Sequence, residues 1–360
     1  MNFNQAISII QENLLPIISD LYDLEDYDMR PVEGHYGGRN VIFTCEKLKS
    51  ESRIIRIAFL PDRSREDFLA ELEYIRFLHN NGASVSNVID SVNGRILEEV
   101  RWAEHTFFVS LFDKARGKML AENNYCYREG VPITEYFYNC GKVLGKIHQL
   151  SKEYIPTHRR YSFFDKFTVE YIQTLLPDSL SLLKQSMAGI LEELKEIPQD
   201  IDSYGMIHFD YSDGNYHIDF DNGQITVYDF DNTCFGWYMY DLAELWTHGV
   251  GWIQFEKDAD KRRRFMEEYF STILDGYRSE TKLDDSMLDK LPLFIQATIL
   301  ENIVDEFETL RNNNEEPDLF DKEWLYLTKC LNDNILFKGF FHEIYSCSTP
   351  FEYEDVAEIN

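Results

Sequence analysis

Asp210, Asn215 and Asp229 are the residues of this chain whose types and spacing could do chemistry. The stretch His208-Phe-Asp210-Tyr-Ser-Asp213-Gly-Asn215 places an aspartate and an asparagine five residues apart in a tight loop. Val227-Tyr-Asp229-Phe-Asp231 then brings a second aspartate on the next hairpin. Phosphoryl transfer from a nucleotide needs such a set. One carboxylate accepts or orients the proton of the acceptor hydroxyl, while an amide oxygen and another carboxylate hold Mg²⁺ against the phosphates. An amide oxygen suits that task because Mg²⁺ is a hard cation that takes oxygen ligands. Of the neighbours, His208 is expected to brace the loop through hydrogen bonds. Asp241 is expected to receive backbone N–H groups from it, because a buried carboxylate must find donors.

The elements that would carry these residues change character along the chain. Residues 3–22 show apolar positions at Ile7, Ile10, Leu14, Ile17 and Leu21, the pattern of an amphipathic helix that Pro16 should kink. Strand signals follow near Met29–Glu33, at Val41–Cys45 and at Ile54–Phe59. A helix pattern at Phe68–Leu78 is stopped by Asn80-Asn-Gly82. Two more strands are expected near Arg95–Val100 and Thr106–Phe112. Polar residues 113–118, with Gly117, mark a hinge between a first lobe of residues 1–112 and a mainly helical lobe of residues 119–347, with an acidic tail at 348–360. Helices are expected over Tyr136–Leu150, 177–195, 238–249, 258–277, 284–311 and 318–345. Short strands at Met206–Phe209 and Ile225–Tyr228 flank the loop of interest.

Composition narrows the function. The 360 residues are 44% hydrophobic and 15% aromatic, which supports a fully folded chain. The net charge of −29 is a poor match for nucleic acid or an anionic membrane; it suits a soluble protein with a generally acidic solvated surface, with attraction of a cationic substrate as the alternative for some of these charges. Six scattered cysteines without a C-x-x-C pair point to reduced thiols and a cytoplasmic protein. No signal peptide and no run long enough to span a membrane are expected.

The order of β-rich lobe, linker, helical lobe, H-x-D-x₄-N, hairpin, D-F-D and Tyr240-Asp241-Leu-Ala243 resembles the aminoglycoside phosphotransferase family. That family includes choline, homoserine and methylthioribose kinases as well as antibiotic-resistance enzymes. Gly141-Lys-Val-Leu-Gly-Lys-Ile-His148 and Leu274-Asp-Gly-Tyr277 also look like family segments. The resemblance implies an α+β, bilobal, protein-kinase-like fold and a cytoplasmic small-molecule kinase that uses ATP or GTP with Mg²⁺. It also implies roles: Asp210 catalytic, Asn215 and Asp229 on the metal, and Asp231 supporting Asp229. Arg56, in Ile54-Ile-Arg56-Ile-Ala58, stands where related kinases carry Lys or Arg for the phosphates, with Glu71 as its expected ion-pair partner. Glu73, two residues on, should face elsewhere. The glycines of Gly34-His-Tyr-Gly37-Gly38-Arg-Asn40 are candidates for close approach to phosphate oxygens, with a plain hairpin turn as the alternative. Phe112 closes the strand leading to the hinge, where the nucleotide base would bind.

The acceptor is expected to be a small polar hydroxyl compound, cationic if the acids and aromatics of the second lobe recognise it. Asp213, Trp237, Glu301 and Asp305 are the candidates, with Glu244, Trp246, Trp252 and Glu308 nearby in sequence; a core and a solvated acidic face are the alternative for the same residues. A non-catalytic nucleotide-binding or spore-coat-like structural protein is the competing class, but Asp210, Asn215 and Asp229 are all intact. A protein kinase is disfavoured, because only eleven residues separate Asp229 from Asp241, no A-P-E triplet follows, and Ser212 stands where a Lys is usual.

Overall fold

The computed structural model describes residues 1–32, 38–48, 52–313, 315–319 and 321–340. They divide into two compact units. The first holds residues 1–166, 199–241 and 272–284, and the second holds the remainder.

In the first unit the expected N-terminal helix is three pieces: α1 (Phe3–Ile9), a π-helical stretch at Ile10–Leu14, and α2 (Leu15–Tyr22). The interruption precedes Pro16 instead of centring on it, because proline fits the first turn of α2, where its missing N–H costs nothing. The buried stripe runs Ala6, Ile10, Leu14, Ile18 and Tyr22, at every fourth residue, whereas Ile17 is exposed. An α-helix turns every 3.6 residues, so such a stripe would drift off one face. The wider π turn partly cancels the drift.

That stripe packs on an antiparallel sheet. Its strands are β1 (Asp28–Pro31), β2 (Asn40–Glu46), β3 (Arg53–Ala58), β4 (Val88–Ile89), β5 (Glu98–Trp102) and β6 (His105–Asp113). The order is β1-β2-β3-β6, and β4 and β5 share the far edge of β6. The strand expected at Arg95–Val100 lies three residues later, after the turn at Gly94 (φ +71°), and two-residue β4 was too short to announce itself. Alternation sorts the two faces. Val41, Phe43, Cys45, Ile55, Ile57, Phe107, Val109 and Leu111 join the core beneath α1 and α2. Arg56, Phe108, Ser110 and Phe112 belong to the other face. There α3 (Arg65–Asn80) packs, with Phe68 and Phe108 rings 4.9 Å apart. A reciprocal capping box between Ser64 and Asp67 starts α3.

The rest of this unit frames the loop of interest. α4 (Ile133–Ser151) runs so close to residues 272–284 of the same unit that a Cβ on Gly141 would lie 1.9 Å from the Ile273 carbonyl oxygen. A short α5 (Phe163–Lys166) was not expected. β7 (Tyr204–Ile207) leads into the loop, β8 (Tyr216–Asp219) and β9 (Gln224–Val227) form the hairpin after it, and β10 (Cys234–Trp237) returns to pair with β7. Linker residue Lys118 exchanges backbone hydrogen bonds with Ile218 of β8 (3.2 and 2.8 Å). Gly117, at φ +85°, permits this, since a Cβ there would fall 1.8 Å from the Ile218 carbonyl oxygen.

In the second unit, α6 (Val169–Leu175), α7 (Ser181–Lys195), α11 (Leu291–Asn313) and α12 (Lys322–Asn332) pack on one another. α8 (Tyr238–Ile253) and α9 (Ala259–Arg278) each begin in one unit and end in the other. The helix expected over 284–311 is two, α10 (Asp285–Leu288) and α11, because Pro292 opens a new first turn. The one expected over 318–345 stops at Asn332, and Asn334 beyond it adopts φ +53°. The acidic tail expected at 348–360 lies outside the described residues. Among the described residues no helix is long and apolar enough to cross a membrane.

Candidate active site

The loop holding Asp210 is built on a buried acid. Asp241, 0% exposed, accepts the backbone N–H of His208 (2.8 Å) and of Phe209 (2.9 Å), as the sequence led us to expect. Its Oδ2 also accepts from His148 Nε2 (3.0 Å), whose Nδ1 meets the Tyr277 hydroxyl at 2.9 Å. A carboxylate can only accept, so Nε2 carries the proton and the hydroxyl donates to Nδ1. Burial outweighs the pull of Asp241 and lowers the His148 pKa, so this histidine is neutral. The support lets Phe209 hold φ +69°, rare for a non-glycine residue, with its ring stacked on Tyr240 at 4.6 Å.

Tyr228 joins the loop to the hairpin. Its carbonyl oxygen lies 3.1 Å from His208 Nε2, and its N–H donates to the Asn215 carbonyl (2.9 Å). Both ends of the Asp210 loop are thereby fixed to the residue preceding Asp229. His208, 0% exposed, also packs its ring 4.5 Å from that of Phe230. Asn215 Nδ2 donates to the Asp210 carbonyl (2.9 Å), which orients the side chain and leaves Oδ1 as its acceptor end. Asp210 is half-buried, and burial pushes its pKa up against the opposing effects of His208 and Asn215. Asp213 is half-buried on the same loop.

Asp229 adopts φ +61°, ψ +61°. The residue is solvent-exposed, yet it is set among many protein atoms, and that crowding costs its charged form hydration. That crowding raises its pKa to about 7. The charges of Asp231, Glu71 and Asp210 add to the rise, and Arg56 opposes it. These four residues and Asp229 therefore share one field. Carboxylates held together in this way are what a divalent cation relieves, and Asn215 supplies a neutral oxygen. Among the described residues no three His, Cys, Asp or Glu side chains form a cage for a metal. Mg²⁺ does not require one, because it takes one or two protein oxygens and completes its shell with water and phosphate. The residues fit Mg²⁺ bound together with a nucleotide.

Arg56 and Glu71 form the expected pair. Nη1 and Nη2 donate to Oε1 and Oε2 at 2.7 and 2.9 Å, with Arg56 5% and Glu71 0% exposed. Burial works against the charge on Arg56, but Glu71, Asp231 and Asp229 outweigh it and raise the pKa. Glu73 faces elsewhere, toward Thr157 and His158. Phe112 lies under the Arg56 guanidinium, 5.1 Å from ring centroid to Cζ. Gly38 has φ +81°, and Gly37 lies outside the described residues.

Asp231 is held by partners the sequence did not disclose. Asn40 Nδ2 donates to Oδ2 (3.0 Å), and Arg63 and Arg39 stand 3.6 and 3.9 Å from it. These cations, Arg63 first, outweigh desolvation and lower its pKa. One expectation is corrected. Trp237 is 1% exposed, pairs with Tyr204 on β7, and is surrounded by the rings of Phe163, Phe164 and Tyr204, so it is core and has no surface for an acceptor. Glu301, half-buried, and Asp305, exposed, lie on α11 in the second unit, where Glu308 accepts a hydrogen bond from Tyr171.

Known proteins resemble this chain over most of its length. The model of the phosphotransferase enzyme family (APH) matches residues 28–281. Amicoumacin kinase of Bacillus subtilis (strain 168) is 27% identical over 261 residues, which cover 71% of this chain and 74% of that one. A solved amicoumacin kinase in complex with AMP-PNP, Ca²⁺ and Ami superposes with a TM-score of 0.77 at 23% identity, covering 94% of this chain and 99% of its own. The microcompartment-associated aminopropanol kinase gives 0.67 at 18% identity, covering 92% and 100%. The shared fold is protein-kinase-like.

Proposed function

This chain belongs to the phosphotransferase enzyme family and is a small-molecule kinase, and on that premise we propose that it moves the γ-phosphate of ATP or GTP, held with Mg²⁺, to the hydroxyl of a small amine-bearing alcohol in the cytoplasm. The observation that carries this reading is the convergence of Asp210, Asn215, Asp229 and the Arg56–Glu71 pair within one compact unit.

In this reading Asp210 takes the proton of the acceptor hydroxyl and aligns its oxygen for in-line attack. Its raised pKa makes it a better base than an exposed carboxylate. Asn215 and Asp229 hold the cation that neutralises the phosphates. Arg56 keeps N–H groups beyond the two given to Glu71, and these face the α- and β-phosphates. Gly38, at φ +81°, lets the backbone approach the phosphates, and Phe112 borders the base. Residues 113–118 act as the hinge between the lobes. Asp213 meets the acceptor's ammonium group.

The amine follows from chemistry and kinship together. A net charge of −29 attracts cations, and the relatives are named for amicoumacin and for aminopropanol, an amino alcohol. The experiment is ³¹P NMR of ATP or GTP with Mg²⁺ and a panel of aminoglycosides, choline, homoserine and simple amino alcohols, against neutral polyols. A new phosphomonoester signal with an amine-bearing acceptor is expected. Turnover on neutral polyols alone would remove the ammonium from the reading, and no turnover on any alcohol would remove the acceptor class.

A further inference from the structure

Arg160 is a cation buried to 2% exposure whose three hydrogen bonds all go to backbone carbonyls. Nε donates to Thr233 (2.6 Å), Nη1 to Asp67 (2.9 Å) and Nη2 to Asp231. Its guanidinium carbon lies over the Tyr161 ring at 4.6 Å. Asp67 is in the first turn of α3, one turn before Glu71, and Asp231 and Thr233 follow Asp229 in the chain. The Asp231 carbonyl also accepts from Arg63, which donates in addition to Asn232 Oδ1 at 3.1 Å. Two arginines therefore converge on one carbonyl, two residues beyond a left-handed aspartate.

We propose that Arg160, assisted by Arg63, is a positioning residue that holds Asp229 in its metal-binding conformation and ties it to α3. The physical need is plain. Asp229 at φ +61°, ψ +61° is in a region that non-glycine residues hold only when the surroundings over-determine it. On its N-terminal side Tyr228 is fixed by His208 and Asn215. On its C-terminal side the fixed points are the Asp231 and Thr233 carbonyls, and Arg160 grips both. Because the same guanidinium grips Asp67, the α3 turn carrying Glu71 moves with the D-F-D segment. Arg56 and Asp229 then keep their spacing without a separate activation segment. Arginine suits this place because its rigid planar fork presents donors to three acceptors at once; a lysine ammonium is a compact point charge on a flexible stem.

The idea rests on the kinase reading, so the test separates the two. Calorimetry of ATP binding with and without Mg²⁺ is run on the wild type, Arg160→Lys and Arg63→Lys, with thermal melting alongside. Arg160→Lys should weaken the magnesium-dependent part of binding by about tenfold or more, as loss of residues that orient metal ligands does. Binding of metal-free ATP should change by less than about twofold, since only the metal-dependent part passes through Asp229. Should Arg160→Lys fail to fold, Arg63→Lys keeps all three Arg160 contacts and should shift the same quantity in the same direction, by a smaller factor. Lower melting temperatures with unchanged magnesium-dependent binding in the folded variants would reduce both arginines to structural supports and overturn the proposal. Absence of magnesium-dependent binding in the wild type would overturn the kinase reading and this proposal with it.

Discussion

Removing Glu71 while keeping Arg56 separates what the buried pair does for stability from what it does for the nucleotide. In Glu71→Ala the guanidinium, 5% exposed in the wild type, loses its two closest hydrogen bonds. Breaking a buried pair by deleting one partner costs about 3–5 kcal/mol, because a charge is left uncompensated. Asp231 and Asp229 also pull on Arg56, so the lower end, about 3 kcal/mol, is the figure to expect. For a domain of roughly 150–250 residues that corresponds to a fall in Tm of about 6–12 °C. Replacing both partners, Arg56→Met with Glu71→Leu, removes the charge as well as its partner and should restore stability to within about 1 kcal/mol of wild type. Nucleotide binding should be lost in the double variant, because it no longer carries the Arg56 guanidinium. Urea denaturation gives the stabilities and calorimetry gives the binding. A cost below about 1 kcal/mol for Glu71→Ala, or normal ATP binding in the double variant, would refute the reasoning.

Three further expectations are open to direct measurement. Gly117→Ala should destabilise by about 2 kcal/mol or more in chemical denaturation, since its Cβ meets the Ile218 carbonyl and φ is +85°. In the metal-free protein Asp229, with a folded pKa of about 7 above its unfolded value, contributes stability below the unfolded pKa that is lost as pH rises to about 7. Asp229→Asn should therefore melt higher than wild type at pH 8, and that advantage should vanish near pH 4. Burial pushes the thiols of Cys45 and Cys140 up to about 12, so iodoacetamide at pH 8 should label exposed Cys126 and spare both, as peptide mass spectrometry would show.

What could be read from the sequence was local. Asp210 and Asn215 are five residues apart, and the loop that joins them announces itself by residue type. The Arg56–Glu71 pair was legible because a strand and the helix that follows it bring fixed positions together. Asp241 was legible because a buried carboxylate must find donors near it. The partners of Asp231 were not. Asn40 lies 191 residues from it and Arg63 lies 168 residues from Asp231's carbonyl, and no local pattern reports such distances. Arg160 was invisible for a second reason: its acceptors are backbone carbonyls, which every residue has. The hairpin of β8 and β9 was expected after the loop, though only its second strand was given bounds, and β10 escaped because Gly236 inside it weakens a signal only four residues long. Trp237 misled because tryptophan is equally at home in a core and around a cation, and only its exposure decides between them.

The most direct measurement is acceptor-dependent phosphate transfer by Asp210→Ala, set beside calorimetric binding of Mg·ATP to the same variant. Turnover should fall by at least about 10²–10⁴-fold, the usual worth of a positioned base, with Mg·ATP binding close to wild type. Near-full turnover would contradict the assignment of Asp210 and the mechanism built on it.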